Sequence, residues 1–172
     1  MSGTISQPDS QIVSDLKRQG VLLRFRPEEF SGISRNGGVA VMCSDGDIDA
    51  PCHHTKLTHR PHCLRVFGGP LLLAHSFGGF RGAFAVGLLE NLRQGMTVKE
   101  TKTLFLYFHA PCGMAMAHDH GIEEQVQTLA PEAREFFSSD NFFDRHKIHL
   151  LFHVKRINKG GAEEQNTYKI VI

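Results

Sequence analysis

The chain has 172 residues, of which 41% are hydrophobic and 22% charged, proportions of a single folded domain that exclude a disordered or collagen-like polymer. Lys and Arg number 19 against 18 Asp and Glu, a formal net charge of +1, which excludes the strong field of a chain built to bind nucleic acid or acidic membranes. No apolar run approaches the roughly 20 residues of a membrane span, and the first ten residues lack the basic-then-apolar order of a signal peptide. A soluble, cytoplasmic protein is expected.

Residues 1–9 read as a flexible tail, and residues 10–172 as one α/β domain. Ile12, Val13 and Leu16 form one stripe of a short helix over 10–18 that Gly20 stops. A short strand follows over 21–25. Gly37 and Gly38 precede the apolar run Val39-Ala40-Val41-Met42-Cys43, the length of a buried parallel strand. A loop over 44–62 leads to a second run, 63–67, which Cys63 opens as a buried strand and which ends at Gly68-Gly69-Pro70.

Phe80, Phe84, Leu88, Leu89 and Leu92 recur at helical spacing, with Gly95 as the stop. Residues 103–108 are the most strand-like segment and end at His109. Residues 123–137 read as helix interrupted by Pro131. Two late strands, over 147–155 and 167–172, suit a hairpin across 158–161. Strands separated by helices predict an α/β fold with a mostly parallel central sheet flanked by helices.

Eleven histidines and four cysteines draw attention to metal chemistry. In a reducing compartment the thiols read as metal ligands or buried groups rather than disulfides. Two predicted strands finish on such residues, one at Cys43-Ser44-Asp45 and the other at His109-Ala110-Pro111-Cys112-Gly113. Ligands in open α/β sheets collect beyond the carboxyl ends of the strands. If these strands are adjacent, Cys43, His109 and Cys112 meet at one point, and a Cys2His set suits zinc. His-x-x-Cys alone is a weak signal; its pairing with Cys-x-Asp at a second strand end strengthens it.

These two segments resemble the signatures of the β-class carbonic anhydrases, Cys-x-Asp-x-Arg and His-x-x-Cys-Gly. The order between them is also similar: a strand into a glycine turn (66–70), a helix (80–92), then a strand into the histidine. The resemblance covers roughly residues 35–172. It implies zinc on Cys43, His109 and Cys112, with a fold that usually forms homodimers or higher even oligomers. It further implies a lyase that hydrates carbon dioxide reversibly to bicarbonate, or acts on a close analogue, with Asp45 orienting the hydroxide.

The departures are specific. The family's motif Arg, which holds the motif Asp away from the metal by a bidentate ion pair, is here Asp47. The turn at 66–70 keeps only the glycine clearly, and the glutamine the family places near its substrate has no counterpart around 34–36. Asp45 is therefore expected as the fourth zinc ligand at rest, unless Arg65 or Arg81 replaces the missing Arg. The alternative function is a non-catalytic zinc-binding protein of the same fold, with a structural or binding role.

His118 and His120 are candidate proton shuttles, or else members of a solvated loop. Cys52, His53, His54, His59, His62 and Cys63 fit no standard zinc module and read as a loop lining the site's mouth or facing solvent. His149 and His153 share a face with no carboxylate beside them and read as ordinary packing or exposed residues. The glycines at 78–82 lack the residues of a nucleotide cradle and read as a helix entry.

Overall fold

Six strands form one mixed sheet flanked by helices in a computed structural model, which describes residues 4–26, 37–44, 61–77, 83–138, 140–158 and 160–172. Strands β1 (Leu22–Arg24), β2 (Val39–Cys43), β3 (His62–Val66), β4 (Thr103–Ala110), β5 (Lys147–Ile157) and β6 (Glu163–Ile170) take the order β1-β6-β5-β4-β2-β3. Pairings β3–β2, β2–β4 and β4–β5 are parallel. β6 runs antiparallel to both β5 and β1. The connection from β5 to β6 is too short for a crossover, so the pair closes as a hairpin. The Asn158 side chain fixes that turn by accepting the N–H groups of Gly160 and Ala162 at 2.9 and 3.0 Å.

Every residue of β2 and β4 is buried, as their unbroken apolar runs require of strands covered on both faces. β3 departs from expectation: it is an edge strand with His62 and Arg65 exposed and Cys63 only partly buried. Gly38 has a steric reason to be glycine, since a Cβ there would lie 2.6 Å from the Phe105 ring.

Helix α1 (Gln7–Arg18) begins earlier than its apolar spacing predicts, because Ser6 and Asp9 form a capping box. The buried Ile5 and its N–H bond to Lys155 O at 2.8 Å tie down part of the expected tail. Helix α2 (Ala83–Val98) runs through Gly95. The glycine lies where a Cβ would make ordinary contact with His62 and Val39, so packing against the sheet overrides its tendency to end the helix. The stop comes later, around Glu100, whose φ is 49°.

After α3 (Gly113–Ala117) the chain forms α4 (Ile122–Glu124), a π-helical stretch Gln125–Leu129, and α5 (Ala130–Ser138). Pro131 does not interrupt this helical run. It lacks an N–H, and the wider turn just before it, with the Ala130 N–H on Gln125 O, absorbs the mismatch.

Buried residues of the five described α-helices join one core with Val39, Val41, Leu104, Leu106, Leu150 and Phe152. A smaller cluster gathers Phe25, Ala40, Met42, Phe105, Tyr107 and Leu151, with Cys63 against it. His149 lies beside this second cluster, its ring stacked on Phe105 at 5.4 Å. Burial, then the nearby charges of Lys169, Lys147 and Arg134, hold its pKa down at about 4. The unfolded chain therefore binds this proton more readily, so His149 costs stability as pH falls from about 6.5 toward about 4. Urea midpoints across that window will fall with pH in the wild type and fall less in His149→Gln; identical slopes would contradict this assignment.

Candidate metal centre

The sheet order makes a switch point between β2 and β4. From β2 the chain moves outward to β3 at one edge; from β4 it moves the other way to β5. Crevices for ligands open beyond the carboxyl ends of strands at such a point. Cys43 is the last residue of β2, His109 is next to last in β4, and Cys112 follows β4 directly as the N-cap of α3. The Ala110–Pro111 peptide between them is cis.

These three side chains converge. The two sulfurs and a ring nitrogen of His109 all lie within 4.8 Å of one another. Cys43, His109 and Cys112 are 5%, 4% and 1% exposed, so the group is sealed from bulk water. Among the described residues, neither ring nitrogen of His109 has a hydrogen-bond partner. A buried polar atom left unpaired costs about 1–3 kcal/mol, and an imidazole carries two. The Cys112 thiol is pushed up from its ordinary range, first by its hydrogen bond with Cys43 and next by burial, while the backbone amides of Ala115 and Met114 oppose this weakly. A divalent cation reverses that balance by taking the place of the thiol protons. The buried cluster can thus bind a metal ion, and its donor chemistry fits a borderline-soft one.

The glycine turn after β3 completes the wall. Gly68 and Gly69 have φ of 76° and 53°, and a Cβ on Gly69 would stand 2.5 Å from the Cys43 nitrogen and 2.8 Å from the Met42 carbonyl carbon. Only glycine lets this turn seat against the end of β2. The Ser44 N–H donates to Val66 O at 2.9 Å and ties the same two strand ends together.

Asp45 and Asp47 lie outside the described residues, as do Arg81, the glycines at 78–82, and Cys52, His53, His54 and His59. Arg65 stands exposed on β3, in register with Met42. His62 and Cys63 are on the edge strand; burial raises the Cys63 thiol, and its Sγ donates to Pro61 O at 3.7 Å. His118 and His120 pack at tilted angles against Phe77, at ring separations of 5.0 and 5.2 Å. His120 is anchored by Glu124 at 3.0 Å. Neither lines the cavity beside Cys43 and His109.

That cavity, of about 10 Å³, is lined by Met42, Cys43, Tyr107, Phe108, His109 and His153. His153 is fully buried, with Nδ1 at 2.8 Å from Thr167 Oγ1. Reading the sequence residue by residue missed it, although a signal was present. Leu106-Tyr107-Phe108-His109 and Leu150-Leu151-Phe152-His153 share the pattern Leu-x-Phe-His, and the two histidines pair in register.

No family model matches the chain, and no curated protein does.

Removing one donor tests the centre. Cys112→Ser will lose its bound metal by elemental analysis and about 3 kcal/mol or more of stability, the linkage contribution of a metal present at ~100 times its Kd. Full retention of metal in this variant, or none in the freshly purified wild type, would contradict the assignment.

Proposed function

We propose that the protein is a zinc-dependent lyase similar to the β-class carbonic anhydrases, hydrating carbon dioxide or a close analogue. The observation that carries this reading is the convergence of Cys43, His109 and Cys112 at the switch point, with both His109 nitrogens buried and, among the described residues, unpaired. When bound there, zinc supplies Lewis acidity that brings the deprotonation of water toward neutral pH. Three donors converge among the described residues; a fourth position left to water would make this the arrangement of catalytic rather than closed structural zinc.

The chain's own residues divide the remaining work. Cys43 and Cys112 bring two negative charges that neutralise the cation, and His109 supplies the neutral third donor. The Gly69 turn and the Ser44 bond to Val66 hold the end of β2 in place. Asp45, two residues beyond Cys43, accepts a hydrogen bond from the attacking water and orients it. With zinc bound, Asp45 would instead close the fourth position at rest. Asp47 stands where the family has the arginine that restrains this carboxylate, and a free carboxylate gains most by ligating a nearby cation.

Asp47 also favours a second reading, in which the fourth position stays closed and zinc serves only to stabilise the domain. Stopped-flow hydration of carbon dioxide by zinc-loaded protein separates the two. We expect weak turnover at about pH 7 and faster turnover at about pH 8.5, where hydroxide competes better with the carboxylate. Asp45→Ala will keep its zinc. Zinc-loaded protein with no hydration above the uncatalysed rate at either pH would leave the non-catalytic reading standing.

A further inference from the structure

We infer that His153 binds the small anion or water occupying the fourth coordination position, as a hydrogen-bond donor in the wall of the cavity; this rests on the zinc reading above. Its place in the sheet is the first argument. β5 is the neighbour of β4, and His153 pairs directly with the ligand His109. Both side chains line the cavity that also contains Cys43.

The second argument is energetic. His153 is 0% exposed, on a strand whose other deeply buried residues are Leu150, Leu151, Phe152 and Val154. An imidazole among them carries a desolvation cost that a leucine or phenylalanine avoids. Thr167, itself only 6% exposed, offsets part of that cost, its hydroxyl standing 2.8 Å from Nδ1. In the tautomer in which the hydroxyl donates to Nδ1, the ring proton sits on Nε2, the atom that then serves the cavity. The bond also fixes the ring plane, because β6 and β5 are locked in register at His153 and Thr167.

The third argument is size. A cavity of about 10 Å³ admits about one water-sized group. A wall this close to Cys43 and His109 selects small ligands, water or one oxygen of a bicarbonate-like oxyanion. A donor on His153 favours the anionic form by a hydrogen bond to charge.

Cobalt substitution reads this without relying on turnover. The full chain carrying Asp45→Ala, which removes the carboxylate proposed to close the fourth position at rest, is loaded with Co(II) and titrated with thiocyanate by visible absorption. Adding His153→Phe should leave the cobalt stoichiometry and the sulfur-to-cobalt band unchanged and weaken thiocyanate about tenfold, the loss of one hydrogen bond to a charged group. If His153→Phe fails to fold, Thr167→Val removes only the tether and should weaken the anion severalfold with cobalt still bound. Equal affinity in a folded, cobalt-loaded His153→Phe, or in Thr167→Val where it is used instead, overturns the role of His153 and leaves the metal centre intact. Failure of the parent chain to take up cobalt overturns the zinc reading, and this inference with it.

Discussion

The parallel pairing of β2 with β4 is the contact on which the candidate centre depends. The two strands lie side by side through the register Val39 with Leu104 to Met42 with Tyr107, yet they pass the chain on in opposite directions across the sheet. Residues far apart in sequence, Cys43 and the pair His109 and Cys112, are thereby brought to one crevice. A slip of that register by one residue would turn Cys43 to the other face of the sheet. The burial of both strands on both faces makes such a slip costly, because every side chain of β2 and β4 is packed.

Packing that fixes the donors also makes them expensive. Two thiols facing each other, and an imidazole without hydrogen-bond partners among the described residues, are poor company in an apolar core. Their cost is offset when a cation binds, so metal affinity and fold stability are one linked quantity. The close seating of Gly69 on the end of β2 acts in the same direction: it holds Cys43 in place where a cation could bind. The histidine pair His109 and His153 extends the polar island to the next strand, and Thr167 anchors its far side.

Much of this was legible in the sequence, and for identifiable reasons. β2 and β4 announce themselves as unbroken apolar runs, and the ligands stand at their ends. Adjacency of the two strands is not a local property, so the sequence permits the cluster without requiring it. Gly95 misled as a helix stop, because the helix packs on through it beside His62 and Val39 and turns out only near Glu100. β3 read as buried because its run is apolar at Cys63, Leu64 and Val66, whereas its edge position is set by strand order. His153 looked like ordinary packing because its meaning depends on register with His109, which only the β4–β5 pairing supplies.

Zinc K-edge X-ray absorption on the purified wild-type protein tests the central claim most directly. The account predicts a four-coordinate site with two sulfurs at about 2.3 Å and one imidazole nitrogen at about 2.0–2.1 Å, the remaining ligand being oxygen. A shell without sulfur, or with four sulfurs, would contradict it.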